Sequence, residues 1–143
     1  MEKKYKKFGE IIIKKFRDEN YANYLKSTEQ ARKITINEYY NLKRNENYDS
    51  NLQKIEDERF EFINSLSGTQ KEQLDKLILK TLDDTAFNFL REIEEDFHFN
   101  ESVGLIFKGK SIEDIYDEFL SGTFFGEYFL WINKFSKYGD FQY

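Results

Sequence analysis

Residues 69–93 read TQKEQLDKLILKTLDDTAFNFLREI, and the spacing of apolar groups in this stretch decides the fold class. Leu74, Leu77, Ile78, Thr81, Leu82, Thr85, Phe89, Leu90 and Ile93 recur three or four positions apart, the period of one helix face. A stripe this long predicts a helix of about six turns. Each large apolar side chain on it contributes roughly 1.5–3 kcal/mol when fully buried, so this helix is expected to nucleate the fold. Ser67 and Gly68 predict the stop of a preceding helix. Thr69 with Glu72 predicts a capping box that opens the long one.

Helical spacing also extends outward from this segment. Between Asn51 and Leu66, the positions Leu52, Ile55, Arg59, Phe62, Ile63 and Leu66 form one stripe that leaves Phe60 off it. Upstream, KRNENYDSN at 43–51 is polar and rich in asparagine, which predicts a loop. STEQ at 27–30 predicts a further capping box, and the helix it opens carries Ala31, Ile34, Tyr39 and Leu42. The first helix takes Phe8, Ile12 and Phe16 at four-residue spacing and continues toward Tyr21, Tyr24 and Leu25, with RDEN a candidate break. Downstream, Phe97 and Phe99 alternate with polar residues and GLIFKGK has glycines at both ends. A short hairpin or extended connector is expected near 97–109. Ser111 with Asp114 predicts the cap of a helix ending near Gly122, and a last helix runs from Thr123 toward Tyr138.

The expectation is therefore a mainly α, all-α fold: a single compact, bundle-like domain over residues 1–143, with five to six helices and at most that one hairpin. Proline is absent, where average usage of about 5% would supply roughly seven. Nothing therefore interrupts the helical hydrogen-bond ladder. Cysteine is also absent and histidine occurs once, which excludes a disulfide scaffold, thiolate metal sites and most imidazole-based ones. The longest apolar run near the N-terminus, Ile11 to Ile13, is too short for a signal core or a membrane span. A cytoplasmic protein with no membrane partner is expected.

Formal charge is −5 overall but unevenly distributed. Residues 1–26 carry eight basic and four acidic groups, whereas residues 83–118 carry eleven acids and three bases. Such an acidic surface repels nucleic acid and attracts basic proteins. Aromatic residues concentrate at the other end: nine of the 23 residues 121–143 are rings. Phe124, Tyr128, Trp131, Ile132 and Phe135 share one helix face and suffice to dock the last helix. Phe125, Phe129 and Tyr138 lie toward another, with Phe141 and Tyr143 beyond, and Phe125 and Phe129 become candidate partner anchors. The composition, with 17 lysines, 11 asparagines, 13 isoleucines and three alanines, matches A/T-rich codons, which also raise the aromatic count.

Catalytic and cofactor motifs are weak. Glu95 and His98 form an E-x-x-H pair, but a carboxylate-bridged metal pair needs a second such motif, and no second histidine exists. GLIFKGKS at 104–111 satisfies the spacing of a phosphate-binding loop. Bulky Leu105, Ile106 and Phe107 nevertheless stand where phosphates would lie. Paired acids such as Asp83–Asp84, Glu94–Glu95 and Asp117–Glu118 are expected to be solvated helix faces. No metal, nucleotide or other cofactor is expected.

LDKLILKTLDDTAFNFLREIEED at 74–96 together with LSGTFFGEYFLWINKFSKYG at 120–139 resembles small bacterial proteins, some of them encoded beside toxins as immunity proteins. The resemblance covers about residues 66–139 and lies in pattern rather than in a defined motif. It implies a non-enzymatic protein that neutralises a toxin effector by direct binding. An acidic inhibitor suits a basic toxin or nuclease, with Glu94, Glu95, Asp117 and Glu118 steering association and Phe125 and Phe129 anchoring it. The alternatives are a phage-encoded, nucleic-acid-mimicking inhibitor of a host defence nuclease, and a carboxylate-dependent hydrolase.

Overall fold

Helices account for most of the computed structural model, which describes residues 4–99, 102–111 and 123–139. In chain order these are α1 (Lys4–Ile11), a π-helical segment (Ile12–Glu19), α2 (Asn20–Lys33), α3 (Ile36–Tyr40), α4 (Ser50–Ser65) and α5 (Gly68–Phe99). They are followed by a two-stranded hairpin, β1 (Ile106–Phe107) with β2 (Lys110–Ser111), and by α6 (Phe124–Phe135). The fold is mainly α, as the 3.6-residue spacing predicts. The Ser111–Asp114 cap and its helix, Phe141 and Tyr143 lie outside the described residues.

The hairpin pairs Ile106 with Ser111 and Phe107 with Lys110 in antiparallel register. Its two turn residues, Lys108 and Gly109, have φ of 50° and 78°, the positive values that a tight two-residue hairpin needs. The phosphate-loop spacing is thus used up in a strand and a turn, and Lys110 sits on β2. The extended segment also starts later than expected, because α5 continues through Phe97 to Phe99.

Contacts divide the chain into two compact units. Unit 1 takes Met1–Tyr21 and Ile78–Tyr143, and unit 2 takes Ala22–Leu77. The core of unit 1 joins Tyr5, Ile13, Ala86, Leu90, Tyr128, Trp131 and Ile132. On the face read for α6, Tyr128, Trp131 and Ile132 are buried and Phe135 is half-buried. On the N-terminal segment the buried line is Tyr5, Gly9, Ile13 and Arg17, one position on from the Phe8–Ile12–Phe16 line, which is half-buried. Gly9 is needed there: a Cβ would fall inside the van der Waals envelope of Trp131 Cδ2 and Cε2. Phe8 meets the same indole edge-on, centroids 6.1 Å apart.

The α5 stripe is also rotated from its expected line. Leu79, Asp83, Ala86, Leu90 and Glu94 are buried, while Leu77 and Phe89 are more than half exposed. Both lines have helical spacing, so the period alone does not distinguish them. Neighbouring elements select the line, and they do so around a carboxylate that apolar counting omits.

Unit 2 packs Ala31, Phe60 and Ile63, with Ile34, Tyr39, Leu66 and Leu74 against them. Phe60, which falls off the expected stripe, is 5% exposed, and Phe62, which falls on it, is 56% exposed. Asn64 donates to the carbonyls of Ala31 and Ile34, at 3.1 and 2.9 Å, and so ties α4 to the end of α2. Arg32 holds Asp75 through two bonds, and the Tyr24 hydroxyl donates to the same carboxylate at 2.8 Å.

Capping chemistry differs at two of the expected positions. Ser27 and Thr28 lie inside α2, their hydroxyls donating to the carbonyls of Tyr24 and Leu25, so no helix starts there. The capping box of this region is Thr35 with Glu38, which opens α3. The long helix α5 is opened by Ser67, whose Oγ accepts from Gln70 N at 3.1 Å while Gln70 Oε1 accepts from Ser67 N at 2.9 Å. Thr69 with Glu72 has the same template two residues later, already within the first turn. Ser67→Ala is expected to cost about 1 kcal/mol and Thr69→Ala less than about 0.5 kcal/mol. Thermal melts of the two variants check the assignment, and a larger shift for Thr69→Ala would return the cap to Thr69.

Candidate functional site

Three places concentrate chemistry: a buried polar network in unit 1, the outer face of α5 in unit 1, and a cleft in unit 2.

The network begins in the π-helical segment. Its wider turn lets two successive residues, Arg17 and Asp18, both face inward; they are 0% and 6% exposed. Arg17 Nε donates to Asp83 Oδ1 at 2.6 Å, Nη1 to Ser136 Oγ at 2.6 Å, and Nη2 to Gly139 O at 2.9 Å. Tyr128 donates its hydroxyl to Asp83 at 2.6 Å. Asp18 accepts from Ser136 Oγ and from Lys137 N, both at 2.7 Å. Burial works against the Arg17 charge, but the bonds to Asp83 outweigh it and hold the guanidinium above its ordinary value. Burial, with the Asp83 bond, also raises the Tyr128 phenol far above its usual range. Ser136 gives its proton to Asp18 and accepts from Arg17 and from Tyr138 N, a bonding pattern that holds structure in place. These groups are closed in on one another, and their chemistry is to fix the residues after α6 to the N-terminal helix.

The sequence-derived partner residues separate. Glu94 is 6% exposed, so it is not a steering charge at a rim; it falls on the buried Leu79–Asp83–Ala86–Leu90 line. Glu95, one residue on, is exposed and lies 4.0 Å from Arg91. Phe129 is not an outward anchor either. It is half-buried against the unit 1 core, its ring 5.5 Å from that of Tyr128 and 6.2 Å from that of Phe87. Asp117, Glu118 and the Phe125 side chain lie outside the described residues.

What α5 does turn outward is a line of neighbours at three- and four-residue spacing: Phe89, Glu92, Glu95 and Phe99. Phe89 is 54% exposed and Phe99 82%, so two rings bracket two acids. The expected stripe holds both Phe89 and Leu90; Leu90 is buried at 0% exposure and Phe89 is not.

The cleft in unit 2 has a volume of about 220 Å³ and lies among α2, α3, the residues after α3, and α4. Phe60 and Tyr39 form one wall, stacked at 3.9 Å and 9°. Arg44 lies over the rings of Tyr39 and Tyr40, 5.8 and 5.2 Å from their centroids. Asp57 accepts from Tyr39 OH at 2.8 Å, from Arg44 at 2.6 Å and from Gln53 at 2.9 Å. The Arg44 bond leads in holding the Asp57 carboxyl below its ordinary value.

Burial and the Asp57 bond push the Tyr39 phenol up to about 12, and the bond to Glu61 does the same for Tyr40. A raised folded-state value means that the neutral phenols contribute stability fully below pH 10. That contribution is lost as pH rises from about 10 to about 12. An absorbance titration is expected to lose one phenol titrating near pH 12 in Tyr39→Phe and one in Tyr40→Phe.

Among the described residues, no group of three or more His, Asp or Glu side chains is placed to hold a metal ion. No described helix is long and apolar enough to cross a membrane. No family model, curated protein or solved structure matches the chain.

Proposed function

We propose that the chain is a non-enzymatic binding protein of the immunity type, an inhibitor that neutralises a basic bacterial toxin effector by occupying its surface. The observation that carries this reading is the outward line Phe89–Glu92–Glu95–Phe99 on α5. Large exposed rings beside exposed carboxylates supply both elements of such an interface. Acids speed encounter with a basic partner, and a ring that fills a pocket slows departure. The anchor and the steering charges thus move from Phe129 and Glu94 to Phe89 and Glu92, while Glu95 keeps the role read from sequence.

The test is coexpression with the product of the adjacent gene. That product alone is expected to arrest growth, and this chain to restore it. A harmless neighbour, or an arrest that persists, overturns the proposal. With the partner in hand, Phe89→Ala is expected to speed dissociation at a cost of about 2 kcal/mol. Glu92→Lys with Glu95→Lys is expected instead to slow association and flatten its salt dependence. Binding kinetics at two ionic strengths separate the two effects.

A further inference from the structure

We propose that the cleft of unit 2 binds a small organic oxyanion, a carboxylate or phosphate group carried on a flat, largely apolar body. This site is independent of the toxin-inhibitor reading. Formal charge around the cleft is nearly balanced: Lys43 pairs with Glu46 at 3.5 Å, Arg44 with Asp57 at 2.6 Å, and Arg59 with Glu56. Long-range attraction therefore contributes little. What the cleft holds in surplus is hydrogen-bond donors.

A guanidinium carries five N–H groups. Arg44 directs one bond to Asp57 and Arg59 one to Glu56, which leaves most of both forks for a ligand. Among the described residues, Lys43 is held by an ion pair whose side chains are 86% and 82% exposed, a contact of little strength. Lys43, Arg44 and Arg59 all line the cleft, whereas Glu56 is the sole lining carboxylate among the described residues. Asp57 is occupied by three donors and Glu46 is not part of the lining. An acceptor-rich ligand meets these donors, and a planar fork is the geometry that matches carboxylate or phosphate oxygens.

The rest of the wall selects the body of the ligand. The stacked Tyr39–Phe60 pair, with Ala31 and Ile63 beside it, offers an apolar face. Arg44 lies over the Tyr39 and Tyr40 rings, and with its bond to Asp57 these contacts restrain the guanidinium at the cleft. A volume of about 220 Å³ lies below the ~300–1,000 Å³ of sites for drug-sized ligands. The cleft therefore suits a single ring with its anionic group, not a dinucleotide or a peptide.

The full-length chain can be titrated with benzoate, phenyl phosphate and neutral benzyl alcohol, following the side-chain amide resonances of Gln30, Asn45 and Gln53, which line the cleft. Saturable shifts are expected with at least one anion and much weaker shifts with the alcohol. Preference between the anions assigns the ligand to carboxylates or to phosphate esters. Lys43→Gln with Arg59→Gln is expected to weaken that binding about tenfold or more, since bonds to charged groups are lost. Its melting temperature should hold, because both side chains are exposed. No saturable shift with either anion overturns the proposal. Equal binding of the alcohol, or undiminished binding by the double variant, does so too.

Discussion

Asp83→Ala is expected to lower the stability of unit 1 by about 3–5 kcal/mol, the cost of stranding a buried cation. Arg17 is 0% exposed, so its guanidinium has no accessible surface in the folded state. Removing Asp83 deletes the acceptor of Arg17 Nε and of the Tyr128 hydroxyl together. Asp18 stays 3.6 Å from Arg17, but it is already bonded to Ser136 and to the Lys137 amide. Asp84→Ala is the matched control. That side chain is 55% exposed and pairs with Lys80 across one helical turn, so a change within about 0.5 kcal/mol is expected. Denaturant melts decide between the two carboxylates. Equal losses for Asp83 and Asp84 would mean that the buried network does not hold unit 1 together.

Trp131→Ala is expected to cost about 3–5 kcal/mol through the cavity it leaves in the unit 1 core. Gly9→Ala is expected to cost about 1–3 kcal/mol by overpacking, because its new methyl meets the indole. The two changes should not add. Once the indole is gone, the methyl has room, and alanine suits a helix interior better than glycine by roughly 0.5–1 kcal/mol. In the Trp131→Ala background, Gly9→Ala should therefore become neutral or stabilising. A double-mutant cycle on melts reads this reversal directly. Additive losses would show that Gly9 is constrained by something other than the ring.

Much of the architecture was legible in the residues. The period of residues 69–93, the absence of proline and the face holding Tyr128, Trp131 and Ile132 predict a helical chain whose last helix is docked. The Asn-rich segment before Ser50 was legible as a loop, and Lys108–Gly109 falls in the region read as a hairpin. The candidate site was much less legible. Glu94 and Glu95 are adjacent acids that look alike in sequence, yet about 100° of helical rotation buries one and exposes the other. Phe60 and Phe62, and Phe89 and Leu90, are decided in the same way. Ser67–Gln70 and Thr69–Glu72 both satisfy the capping template, and the two overlap, so the template alone leaves the first residue of α5 open.

The sequence by itself determined the class of structure and excluded whole classes of chemistry. Helical period, cap templates and residue inventory are local properties, set by backbone geometry and by which side chains exist. Tertiary structure alone decided which of two equally periodic lines faces inward. It also decided that a carboxylate, Asp83, sits at the centre of the inward line on α5. Arg17 and Tyr128 make that possible, and they come from positions 66 residues before and 45 residues after it. A buried charge is tolerated when its partner arrives, and no local pattern carries the address of a partner so far along the chain. The same holds for Gly9, whose missing side chain has meaning against Trp131 alone.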